Sequence, residues 1–152
     1  MNANSRFAVA IHILTVLAYS RKERVTSECI AMSVSTNPVV IRRTLGDLRR
    51  AGLVDSLSGS CGGWKLIKPA DTISLHEAYC AVRDGLPFGL PAKEPNPRCI
   101  IGAQISEQMI EIFNETEKHM GEYLHSVSID DILNRMKLLT CGKEKLNGET
   151  IE

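Results

Sequence analysis

Residues 35–64 read Ser35-Thr36-Asn37-Pro38-Val39-Val40-Ile41-Arg42-Arg43-Thr44-Leu45-Gly46-Asp47-Leu48-Arg49-Arg50-Ala51-Gly52-Leu53-Val54-Asp55-Ser56-Leu57-Ser58-Gly59-Ser60-Cys61-Gly62-Gly63-Trp64. This stretch starts a helix, runs it, stops it and turns the chain back as a hairpin. Asn37 suits an N-cap, because its side chain accepts a backbone N–H at the open helix end. Pro38 suits the first helical position, where a missing N–H costs nothing. Ile41, Leu45 and Leu48 give the helix one apolar face. Arg42, Arg43, Arg49 and Arg50 lie largely off it. Gly52 is expected just past the helix end. Leu53-Val54-Asp55-Ser56 then reads as a short strand, residues 58–63 as a flexible turn, and Trp64-Lys65-Leu66-Ile67 as the return strand. An arginine-bearing helix followed by a glycine-rich hairpin has the form of a winged helix-turn-helix. The helix fits the major groove, and the narrow loop lies along the backbone or in the minor groove.

Upstream, Ser5 is the candidate cap of a helix running from Phe7 to about Ala18. That helix is apolar nearly all round and is therefore expected to be buried on most sides. His12 on it is a lone histidine with no Cys or His near it at metal spacing. Thr26 is the candidate cap of the next helix, whose apolar face is Ile30, Ala31 and Val34, and Glu28 suits its positive end. Ser35-Thr36 makes the turn into the Asn37 helix, so two short helices meet as a helix-turn-helix. An ordinary αα-hairpin is the bland alternative; the glycine-rich hairpin and the four arginines favour DNA binding.

Downstream, Ser74-Leu75-His76-Glu77 is a capping box opening a helix that Asp84-Gly85 closes. Residues 85–98 hold four of the six prolines and read as a loop. A long helix is expected over about Cys99 to Leu124. Its stripe of Ile101, Ile105, Met109, Ile112, Met120 and Tyr123 suits pairing with a second copy. Ser128-Ile129-Asp130-Asp131 caps a last helix, and from Cys141 the chain is polar and expected to fray.

Formal net charge is zero, but its distribution is uneven. Residues 1–68 carry ten lysines and arginines against four acids, and the rest eight against fourteen. A basic half joined to an acidic half fits a phosphate-binding module carrying another kind of partner. No secretory signal or membrane span is expected. The five cysteines are odd in number and scattered, which suits reduced thiols in a cytoplasm. No catalytic motif stands out, so the chain reads as a non-enzyme.

The segments Ser5-Arg6-Phe7-Ala8-Val9, Asn37 to Arg43, Ala51-Gly52-Leu53-Val54 and Gly62-Gly63-Trp64-Lys65-Leu66 together resemble the bacterial regulators of the IscR, NsrR and CymR type, the Rrf-two family. The resemblance spans residues 3–139. Pro97-Arg98-Cys99-Ile100-Ile101-Gly102 resembles the start of that family's long dimerisation helix. The resemblance implies a homodimer on a partly palindromic double-stranded operator, usually as a repressor, with a sensor region between the fourth helix and the long one. The chain departs from the family twice. Ser58 stands where the wing commonly carries an arginine, which favours backbone contact by the wing. Iron–sulphur members place three cysteines in the sensor loop, and here Cys99 alone stands there. No cofactor or metal is therefore expected.

The expectation is a mainly α protein with a small β-hairpin. A winged helix-turn-helix domain spans 1–84, a sensor-region loop 85–98, the dimerisation helix and C-terminal helix 99–140, and a frayed tail 141–152. The expected DNA-contacting residues are Arg6, Ser27, Thr36, Asn37, Pro38, Val39, Arg42 and Arg43, with Ser60 and Gly62 on the wing. Arg6 and the N–H groups near Ser27 are assigned to phosphates. Arg42 and Arg43 are assigned to base edges. Arg49 and Arg50 read as solvated charges that complement the helix C-terminus, and Trp64 as a packing anchor under the wing. Cys99, beside Arg98 at the expected helix start, is the candidate redox-sensing thiol, as in some family members. Cys61 is the second candidate. Ile101, Ile105, Met109, Ile112 and Met120 are the expected dimerisation residues. The alternatives are a dimeric module whose winged helix binds protein, and a repressor that responds to a small molecule.

Overall fold

The computed structural model describes residues 3–20, 24–59, 62–85 and 87–136. Five helices are α1 (Ala3–Tyr19), α2 (Ser27–Val34), α3 (Pro38–Arg50), α4 (Leu75–Val82) and α5 (Ile105–His125). A sixth, α6, covers 129–136. Between α3 and α4 lie the strands β1 (Val54–Leu57) and β2 (Gly63–Leu66).

Local chemistry sets most boundaries. Thr26 Oγ1 accepts the Cys29 N–H and opens α2, and Asn37 Oδ1 accepts the Val39 N–H at 2.8 Å and opens α3 with Pro38 in its first turn. Between them Ser35 is left-handed (φ 57°), and the Thr36 N–H reaches the Ala31 carbonyl at 3.1 Å. That bond satisfies an orphan carbonyl at the end of α2 and makes the turn tight. Gly52 (φ 73°) follows α3, and the Leu53 N–H closes back on the Leu48 carbonyl at 3.0 Å. Ser74 and Glu77 cap each other's backbone at the start of α4. Ser128 and Asp131 do the same at the start of α6.

β1 and β2 pair antiparallel, Val54 opposite Leu66 and Ser56 opposite Trp64. Val25 adds a bridge to Trp64 on the other side of β2, through paired bonds of 3.0 and 2.9 Å. The wing is thereby fastened to the approach to α2. Trp64 is half-buried against the core, as a packing anchor requires.

The core is Ile13 and Leu14 of α1, Ile30 of α2, Ile41, Leu45 and Leu48 of α3, Leu53 and Val54 of the hairpin, and Ile73 before α4. Leu124 and Ile129 join it, so the C-terminal end of α5 and the start of α6 pack on the helix-turn-helix body. A bridge between Ser74 and Ser128 and the bonds Leu75 N–H to Val127 O (2.8 Å) and Ile129 N–H to Ile73 O (2.9 Å) fix that junction.

Two boundaries differ from expectation. Ser5 lies inside α1, which begins at Ala3. The long helix begins at Ile105, not near Cys99. Residues 97–104 form successive turns instead, because their bonds alternate in span: Cys99 to Asn96 O, Ala103 to Cys99 O and Gln104 to Ile101 O. Among the described residues no helix is long and apolar enough to cross a membrane.

Candidate nucleic-acid interface

α2, the Ser35 turn and α3 present one continuous edge. The apolar stripe of α3 is buried on α1 and α2, which turns its remaining face outward. Arg42 and Arg43 stand exposed in the first turns of α3, and Val39 before them is 66% exposed. The Arg42 Nε–H donates to the Pro38 carbonyl at 3.4 Å, and its guanidinium lies 3.8 Å from the Glu28 carboxylate on α2. Both side chains of that pair are more than half exposed, so it is weak and easily exchanged. Arg42 can leave Glu28 for a guanine edge at little cost, and Glu28 can accept from cytosine N4. Exposed Val39 offers a methyl surface of the kind that meets thymine.

Thr36 is half-buried and Asn37 exposed at the turn. The Asn37 Oδ1 is committed to its cap, which leaves the amide nitrogen to face a ligand. Gly62 is half-buried, and a Cβ there would sit 2.4 Å from the Leu57 carbonyl oxygen, so the wing turn admits only glycine. The Arg24 guanidinium donates to the Gly63 carbonyl at 3.2 Å and steadies the wing base. Ser60 and Cys61 lie outside the described residues.

Several expected roles change. Arg6 does not face phosphate. It is 8% exposed, donating to Asp47 of α3 at 2.6 Å and to Asp84 beyond α4. Both carboxylates favour its charged form and raise its pKa, Asp84 most, against the opposing effect of burial. Ser27 is also buried, and its hydroxyl donates to the Glu28 carboxylate at 3.2 Å. Arg50 pairs with Asp47, so it is not merely a solvated charge. The network around Arg6 escapes a reading of the sequence because its two acids lie 41 and 78 residues away.

On the other half, Ile101 is 71% exposed, Ile112 and Ile105 are exposed to lesser degrees, and Met109 is half-buried. Met120 differs from the rest of its stripe: it packs against the core of its own chain. Cys99 is exposed in the turns ahead of α5. The N–H groups of Gly102 and then Ile101 stabilise its thiolate and lower its pKa. Cys99 does not stand at a helix start as expected, since α5 begins six residues later.

The family model for Rrf2, described as an iron-dependent transcriptional regulator, matches residues 3–135. The chain is 41% identical to a protein of Bacillus subtilis (strain 168) named as an HTH-type transcriptional regulator, YwnA, over 88% of this chain and 98% of that one. It is 36% identical to a crystal structure described as that of a DNA-binding protein, with a TM-score of 0.66 over 84% of this chain and 98% of the other. The structure of CymR, the global cysteine regulator of B. subtilis, shares the fold at 20% identity and a TM-score of 0.62, over 86% and 95% of the two chains.

The family description raises the question of iron. Among the described residues no three His, Cys, Asp or Glu side chains converge as a metal site. Cys29, Cys80 and Cys99 are exposed on α2, on α4 and in the turns before α5. An iron–sulphur cluster takes several thiolates together, and this donor set does not fit one.

Proposed function

The chain belongs to the Rrf2 family of DNA-binding transcriptional regulators, and on that footing we propose that it acts in the cytoplasm as a homodimeric repressor on a partly palindromic operator. The observation that carries the reading is the exposed first turns of α3, with Arg42, Arg43 and Val39 turned outward from a helix whose other face is buried. Two such helices, one per protomer, read half-sites about one helical turn apart. Thr36, Asn37 and Pro38 at the turn, and the wing around Ser60 and Gly62, take flanking backbone.

The dimer forms through Ile101, Ile105, Met109 and Ile112, apolar side chains that a single chain leaves largely or partly uncovered. Cys99 is the sensing thiol: it is exposed, its thiolate is stabilised by backbone N–H groups, and it lies beside that interface. A bulky or charged adduct there displaces the helix that sets the spacing of the two DNA-reading heads.

The test is selection of bound DNA from a random pool, followed by a gel-shift titration against salt. Operator binding predicts an enriched inverted repeat and an affinity that falls steeply with salt. No enrichment together with a shallow salt response points to a winged helix that binds protein.

A further inference from the structure

α1, α4, α5 and residues Asp84, Gly85, Pro87 and Phe88 line a cavity of about 420 Å³. Its walls are mainly apolar and aromatic: Phe7, Tyr79, Phe88, Met120 and Leu124. Phe7 and Tyr79 meet edge to face at 5.4 Å, and Phe88 stacks on Phe113 of α5 at 5.2 Å. The two charged side chains at its wall are already paired. Arg83 donates to Glu117 at 2.7 Å and lies over the Tyr79 ring, and Asp84 holds Arg6. A charged ligand would enter without a partner. An uncharged flat molecule meets ring faces and edges, and the volume falls in the range of about 300–1,000 Å³ usual for small-molecule sites.

We propose that this cavity binds an uncharged aromatic molecule of two or three rings, and that its occupation lowers operator affinity through the Asp84–Arg6–Asp47 ion-pair chain. The second half of the proposal rests on the operator-binding reading above. Asp84 belongs at once to the cavity wall and to this chain. Phe7, the next residue after Arg6, also lines the cavity. A ligand wedged between Phe7 and Phe88 draws Phe88 away from Phe7 and Asp84 away from Arg6. The guanidinium then turns toward its remaining partner, Asp47, which lies on the helix that carries Arg42 and Arg43. Ligand and operator thus favour different placements of α3 against α1, and each weakens the other's binding.

The probe is N-phenyl-1-naphthylamine, an uncharged aromatic that fluoresces in apolar surroundings, titrated into the purified protein. Wild type should bind it saturably, about one per chain, and Phe88→Ala should bind it about tenfold more weakly. Phe88 is exposed and lies outside the core, so the variant keeps its fold, which a thermal melt checks. Saturating probe should lower wild-type operator affinity by about five- to tenfold. Asp84→Asn, titrated to its own saturation with probe, should show an operator affinity that no longer responds.

Absence of saturable binding, or equal binding by Phe88→Ala, overturns the site. Saturable binding with unchanged wild-type operator affinity overturns the coupling, and an Asp84→Asn variant that responds like wild type overturns the route through Arg6. Operator affinity without probe is measured first. If no specific DNA is bound, the operator-binding reading and the coupling built on it fail together, while probe binding still decides the cavity.

Discussion

The Arg6 guanidinium of α1 donates to the Asp47 carboxylate of α3 at 2.6 Å, with about nine-tenths of each side chain withdrawn from solvent. Arg6 stands among the first residues of the chain, and Asp47 is the sole acid on a helix carrying four arginines. Their pairing fixes how α3, the helix proposed to face DNA, sits on α1.

Arg6→Ala should therefore unfold more easily. Removing one member of a buried pair strands the other, at about 3–5 kcal/mol. Arg50 still reaches Asp47 from the solvent side, which places the loss near the lower end. Urea unfolding of wild type and variant measures it, and a difference within error would mean that Asp47 is adequately solvated without Arg6. Asp47→Asn in the Arg6→Ala background should recover part of the loss.

Arg42→Ala should lose specific operator affinity while the dimer persists. A bidentate arginine–guanine contact contributes about 1–3 kcal/mol of discrimination per half-site. Arg49→Ala, at the far end of α3, should change affinity little. Equal affinity of Arg42→Ala and wild type for the selected operator would remove Arg42 from the base-reading set.

Ile105→Glu combined with Met109→Glu should split the dimer. Each places a carboxylate where the partner helix would bury it unpaired, at a cost of several kcal/mol. Sedimentation should show a monomer that keeps its helical circular dichroism. An intact dimer would place the interface elsewhere.

Cys99 should alkylate at a pH where an ordinary thiol is still mostly protonated, because the Gly102 and Ile101 N–H groups hold its pKa below the reference 9.0. The direction is fixed: the folded protein's rate should rise with pH earlier than that of the urea-unfolded chain, where those N–H groups are dispersed. Iodoacetamide labelling against pH, with Cys99→Ser as the blank, measures it. Peroxide or a quinone should weaken operator binding of wild type and spare Cys99→Ser. If both respond alike, Cys61 becomes the reactive thiol.

What was legible in the sequence was what a few adjacent residues decide. Thr26, Asn37 and Ser74 announce helix starts because a cap and its N–H lie within three residues. Gly52 announces an end because a left-handed residue is needed one step past the helix. The hairpin follows from short apolar runs flanking glycines. What escaped depends on residues distant in sequence. Arg6 looks like any basic residue near a chain start until Asp47 and Asp84 are brought to it. The start of α5 was misplaced because Cys99 to Gln104 has helix-compatible spacing, while its bonds close turns instead. Met120 continues the apolar stripe of α5, yet that end of the helix packs against the core of its own chain, so the same side chain serves that core.

The bridge between Ser74 and Ser128 anchors α5 at one end. Its 21 residues span about 30 Å at 1.5 Å per residue, and its N-terminal half stands largely clear of its own chain's core. Mechanically it has the form of a lever about residues 125–128, stayed part-way along by the Phe88–Phe113 stack and the Arg83–Glu117 pair. A tilt of about 5° at the pivot carries the Ile105 end through roughly 3 Å over that length. A small rotation at the Ser74–Ser128 junction would be magnified along this length at the far tip. The same gearing run in reverse lets a force on the tip reach the body as a gentle rotation.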